Sequence, residues 1–187
     1  MKKLLFILTL LVNSLCYSQI TTINPDTVCI GTPGSTYSVV GTPGYTYTWT
    51  VAAPGVITSG AGTSSIGVNW SPAVPGLITG AVTIFATNAA GCVSAPVTLN
   101  VFILQIIPTI TPIGSFCLGA ACVPLVGTPT GGVFTGTGVV GNMFCPSTSG
   151  VGTFLITYTY ILNGCTFTAT TNVTVNPTPI LSPISHN

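Results

Sequence analysis

The stretch that most restricts what this chain can fold into is "GTFLITYTYILNGCTFTATTNVTVN", residues 152–176. Apolar or aromatic residues alternate with threonine on both sides of Asn163-Gly164. A period of two marks a half-buried strand, with every second side chain facing a core. Asn-Gly between two such runs is a hairpin signal, because both residues accept positive φ. An earlier segment has the same plan: "GAVTIFATN" (80–88) leads into "NAAGCVSAPVTLNVFI" (88–103), as "GTFLITYTYILN" (152–163) leads into "LNGCTFTATTNVTVNP" (162–177). No stretch outside the first residues shows helical periodicity. Glycine and proline interrupt too often for one, as in "GTPG" at 31–34 and again at 41–44.

The chain therefore reads as all-β, built from two antiparallel β-sandwiches in tandem. One is expected over 19–103 and the other over 104–176, with a Pro-rich tail or truncated linker at 177–187. Trp49 in "YTYTWTV" and Trp70 in "IGVNW" are expected to pack between sheets.

Residues 1–18, "MKKLLFILTLLVNSLCYS", have two lysines, an apolar run and small or polar residues, the plan of a secretory signal peptide cut after Ser18. The apolar run is too short for a confident membrane span, and nothing later is long enough to cross a bilayer. Removing the leader takes Lys2 and Lys3, the only cationic Lys or Arg side chains of the chain, and leaves Asp26 and His186. General acid–base chemistry needs a tuned ionisable group at the reacting atom, and Asp26 has no second carboxylate beside it in a glycosidase-like pair. Nucleic-acid binding rests on Lys and Arg. The composition thus argues against both an enzyme and a nucleic-acid-binding protein, and no cofactor is expected.

One motif argues the other way. "GTGVVG" at 136–141 spells the G-x-G-x-x-G of dinucleotide sites. That chemistry needs a strand before the glycines and a helix opening after them. Here "NMFCPSTSG" follows, with Pro146 and Gly150 expected to prevent a helix. Turns and bulges are the expected use of these glycines.

Six cysteines follow the leader: Cys29, Cys92, Cys117, Cys122, Cys145 and Cys165. An even number behind a signal peptide points to disulfides formed outside the cytosol. Zinc is the rival reading, since "CLGAAC" is a C-x4-C, but the later cysteines lack paired spacing and no histidine lies among them.

The first unit, with its early Cys29, the Y-T-W-T-V strand, "SGAGT", "VNW" and "ATNAAGC", resembles the PKD-like domains of large surface proteins in gliding, type IX-secreting bacteria. The second, with "PTGGVFTGTGV" and "ITYTY" before Gly-Cys, resembles the Ig-like repeats found beside them. The resemblance implies an extracellular spacer or adhesin module without catalytic residues, secreted or at the cell surface, with the periplasm as the alternative. It implies partners that are other copies of the chain, other surface proteins or glycans. It also implies the pairs Cys29–Cys92 and Cys117–Cys165, which leaves Cys122 and Cys145 as additions expected to pair with each other. "DTV" at 26–28 matches the O-glycosylation pattern of such bacteria and places a glycan on Thr27. A further repeat is expected to begin in "NPTPILSPISHN".

Two binding readings stand beside the structural one. Tyr45, Tyr47, Tyr158 and Tyr160 are candidate stacking residues for sugar rings, against the plainer view that strands favour Tyr and Thr. T-x-T spacings suggest an ordered surface such as ice, which twisted strands rarely match.

Overall fold

A computed structural model describes residues 20–21, 25–31, 34–71, 74–184 and 186. The leader expected over 1–18 lies outside them. Among the described residues strand accounts for 52% and helix for 3%, as the alternation requires. Two compact units divide between Gln105 and Ile106.

The N-terminal unit runs through β1 (Ile20–Thr21), β2 (Asp26–Cys29), β3 (Ser35–Ser38), β4 (Thr46–Val51), β5 (Val56–Ser59), β6 (Ser65–Asn69), β7 (Gly76–Thr87) and β8 (Val97–Leu104). In one sheet β8 has β7 antiparallel on one side, with β4 beyond it. β1 and β2 both run parallel to β8 on its other side. The second sheet has the order β3-β6-β5. On β4 the threonines Thr46, Thr48 and Thr50 are exposed while Tyr47 is buried. Val28, Val82, Val101 and Ile103 from one sheet meet Tyr37, Ile66 and Val68 from the other, with Trp70 beside them. Each such Val or Ile contributes about 1.5–3 kcal/mol by leaving water. The β7–β8 register shifts between Ile78 and Val82, and Asn100 Oδ1 accepts the Gly80 N–H there at 2.8 Å. A side chain thus satisfies a backbone donor where the ladder breaks.

The C-terminal unit contains β9 (Thr109–Ile110), β10 (Phe116–Cys117), β11 (Val123–Pro124), β12 (Gly127–Thr128), β13 (Val133–Thr135), β14 (Val139–Val140), β15 (Met143–Phe144), α1 (Pro146–Ser149), β16 (Gly152–Leu162) and β17 (Cys165–Asn176). Its main sheet has the order β10-β17-β16-β13, with β11-β15-β14 and β12-β9 as smaller sheets. β16 and β17 pair without a break from Gly152↔Val175 to Leu162↔Cys165. Asn163 (φ 50) and Gly164 (φ 81) make the turn, both left-handed as the Asn-Gly signal demands. Phe144, Ile156, Tyr158, Val173 and Val175 fill the core together with Leu125 and Phe134.

One expectation needs correction. Pro146 does not prevent helix; it begins α1, a single turn that ends at Gly150. Proline is well suited to a first helical position, where its missing N–H is not needed. No helix among the described residues is long and apolar enough to cross a membrane.

Candidate functional site

The residues from which function could be argued are the aromatic rings, the lone carboxylate, the glycine motif and the cysteines. Tyr47 and Tyr158, expected as candidate sugar-stacking rings, are buried at 8% and 1% exposure. Each ring faces inward because its strand alternates with outward threonine. Their hydroxyls are already used within the protein. Tyr47 Oη accepts the Thr42 N–H at 2.7 Å. Tyr158 Oη accepts the Gly132 N–H at 2.8 Å and donates to the Pro129 carbonyl. Tyr45 packs half-buried on a cluster formed by Tyr47, Ile84 and Ala86, and Tyr160 packs half-buried on the C-terminal core.

Tyr158 explains the segment "GTPTGGVF" (127–134). Its ring lies 4.6 Å from that of Phe134. A Cβ on Gly127 would fall 2.5 Å from its Cζ, and one on Gly132 would fall 2.4 Å from the same atom. Both glycines leave room for the ring, and the intervening loop closes over its hydroxyl.

In the N-terminal unit Tyr37 plays the corresponding part. Its hydroxyl donates to Asp26 Oδ2 at 3.1 Å and accepts the Trp70 indole N–H at 3.1 Å. The Tyr37 and Trp70 rings meet edge to face at 6.4 Å. Burial first, and the Asp26 charge next, hold the Tyr37 phenol well above its ordinary range, although the Trp70 bond works the other way. Asp26, the one acidic side chain in the sequence, is thereby engaged in bracing β2 against β3. Trp49 is half-buried and donates its indole N–H to the Thr63 carbonyl at 2.8 Å. Thr27 is half-buried on β2, opposite Phe102 of β8.

"GTGVVG" forms the turn after β13 and then β14, with β15 following. Gly136 has φ 146, and a Cβ there would meet the Leu155 carbonyl at 2.6 Å. No helix opens on these glycines, so the amide cradle that a pyrophosphate needs is not built here.

Cys122 and Cys145 are joined, with a Cα separation of 4.2 Å. Cys29 and Cys165 are each disulfide-bonded. The pairs Cys29–Cys92 and Cys117–Cys165 are not formed, since Cys92 and Cys117 are free, exposed thiols. The strand register supplies the reason. β2 places Cys29 beside Leu104 at the end of β8, whereas Cys92 lies before Val97, at the start of that strand. At about 3.3 Å per residue the ends of β8 are roughly 23 Å apart. β10 likewise places Cys117 beside Asn176, at the opposite end of β17 from Cys165. Those ends are about 36 Å apart, far outside the roughly 7 Å Cα limit of a disulfide.

This arrangement of strands can be set beside known proteins. Residues 17–101 match the PKD-like domain family. The match covers the N-terminal unit through Val101 on β8. Similar solved structures include fibronectin(III)-like modules of Clostridium thermocellum CbhA, at 13% identity over 87% of this chain and 95% of that one, TM-score 0.33. Titin domains Z1Z2, solved in complex with telethonin, are 17% identical over 83% and 93% of the two chains, TM-score 0.28. A titin Ig tandem is 14% identical over 82% and 94%, TM-score 0.25. No curated protein matches the chain.

Proposed function

We propose that this chain is a non-catalytic structural or adhesive module on the outside of a bacterial cell, made of two β-sandwiches in tandem and serving as spacer, stalk or contact surface. The observation that carries this reading is the PKD-like match over 17–101 together with a unit whose polar side chains serve packing. PKD-like domains are generally non-catalytic modules. Asp26 braces Tyr37 and Trp70, and Tyr158 grips a loop of its own unit. The disulfide Cys122–Cys145 suits an oxidising compartment, where such bonds form and persist. A glycan on Thr27 and passage through the gliding-bacterium export route belong to the same reading.

Its test is accessibility and adhesion in cells that express the whole chain. Protease added to intact cells should remove the protein, and cells without it should attach less to a surface or to one another. Full protection from external protease in intact cells, with attachment unchanged, would refute the reading.

A further inference from the structure

The segment that opens the C-terminal unit recurs at its end. Residues 104–115 read "LQIIPTITPIGS" and residues 175–186 read "VNPTPILSPISH". Pro108 and Pro112 correspond to Pro179 and Pro183, Ile110 to Leu181, Thr111 to Ser182, and Ile113 to Ile184. Each segment follows directly on the last strand of a unit, β8 or β17.

The first of these segments has a seat. Thr109 and Ile110 form β9, which pairs antiparallel with β12, and the Thr111 N–H donates to the Val126 carbonyl at 2.8 Å. Ile110 and Ile113 pack against the core. In the second segment Leu181 and Ile184 repeat the apolar Ile110 and Ile113, Ile180 stands where Thr109 does, and all three lie in water: Ile180, Leu181 and Ile184 are 94%, 91% and 101% exposed.

The N-terminal unit offers the matching seat. In the C-terminal unit, Val123–Thr128 pairs with β15 through β11 and with β9 through β12. Its counterpart is β3, which likewise precedes the strand that joins the main sheet (β4 here, β13 there). β3 pairs with β6, and among the described residues no strand takes its other edge. The first strands of this unit do not occupy that place, because β1 and β2 both pair with β8. The Val39 N–H donates to the Ser64 carbonyl. Alternation along β3 therefore turns the backbone groups of Thr36 and Ser38 away from β6, toward the open edge. The mature sequence has no Lys, Arg or Glu with which to guard such an edge.

We propose that residues 177–184 of one copy add as a strand to the β3 edge of the N-terminal unit of a second copy, as β9 adds to β12. Donor and acceptor are different surfaces of the same chain, so the contact is head-to-tail and can repeat. The backbone ladder supplies affinity, and Ile180, Leu181 and Ile184 supply apolar burial. Three prolines at 177, 179 and 183 hold the donor extended in advance, which reduces the ordering cost. The proposal deepens the structural-module reading and rests on it.

The test uses the chain from Gln19 with Cys92 and Cys117 changed to serine, so that thiols cannot link copies. Sedimentation from micromolar to near-millimolar concentration should show mass rising well beyond the monomer. An acceptor-only variant, Ile180→Asp with Ile184→Asp, should stay monomeric, as should a donor-only variant, Thr36→Pro. Thr36→Pro removes an N–H that β6 does not use, and circular dichroism checks that both variants stay folded. Mixing the two variants should yield a species of two chains and no longer. Wild-type sedimentation at the monomer mass throughout, or association that survives in either variant, overturns the proposal. Either result leaves the module reading in place, since that stands on surface accessibility and attachment.

Discussion

Replacing Tyr158 with phenylalanine tests the claim that a hydroxyl, rather than ring packing, closes the 129–132 loop. The ring keeps its place against Phe134, so the packing contribution is retained. Lost are the acceptor for the Gly132 N–H and the donor to the Pro129 carbonyl. Tyr158 is 1% exposed, so water does not readily replace the hydroxyl. A buried group left unsatisfied costs about 1–3 kcal/mol, and two of them roughly 2–6 kcal/mol. For a unit of this size each kcal/mol lowers Tm by about 4–8 °C, so a fall of at least about 8 °C is expected. Both tryptophans, Trp49 and Trp70, lie in the N-terminal unit. Their fluorescence provides an internal control that should not move. The C-terminal unit is followed by near-ultraviolet dichroism and by hydrogen exchange of peptides covering 127–135. Gly132→Ala should cost at least as much, because its Cβ meets both the Tyr158 ring and the Thr159 carbonyl, at 2.5 Å. A loss below about 0.5 kcal/mol for Tyr158→Phe, the level of an ordinary surface change, would refute the loop-closing role.

Three further outcomes are expected. Cys122→Ser with Cys145→Ser opens a cross-link of sequence separation 23, which should cost the C-terminal unit about 3 kcal/mol in denaturant titration. Native chain from Gln19 should show two thiols reactive to Ellman's reagent, Cys92 and Cys117, and blocking both by Cys→Ser should bring the count to zero. Tyr37 remains protonated in the folded state above the pH at which a free tyrosine ionises, so the unfolded state binds fewer protons there. Stability of the N-terminal unit should therefore be fully present below pH about 10 and fall as pH rises from there toward the folded-state pKa. Tyr37→Phe should flatten that decline in urea titrations read by tryptophan fluorescence.

Much of the local architecture was legible because it depends on neighbours in sequence. Asn163-Gly164 announced its turn, and threonine alternation announced the faces of β4, β16 and β17. Trp70 was readable as core because an indole after an apolar run has few other uses. The role of Tyr158 was hidden, since the same alternation serves a buried ring and an exposed one equally well. "GTPTGGVF" contained the clue, for two glycines flanking a proline turn suggest a close approach, but the approaching group lies on another strand. Pro146 has the local look of a helix breaker yet stands at a helix start, because its effect depends on the turn that precedes it.

The amino-acid order alone therefore determined the class of structure, the all-β content, the hairpin turn and a stretch, residues 19–187, whose only Asp, Glu, Lys, Arg or His side chains are Asp26 and His186. Each of these follows from side-chain chemistry within a few residues. The tertiary structure decided the register and direction in which early strands join late ones. Parallel pairing of β2 with β8 and of β10 with β17 carries Cys29 and Cys117 to the strand ends far from Cys92 and Cys165. Among the described residues it also leaves β3 paired on one edge alone, with β6. Such pairing depends on contacts between residues tens of positions apart, where the free energy comes from packing two faces together and not from any local preference.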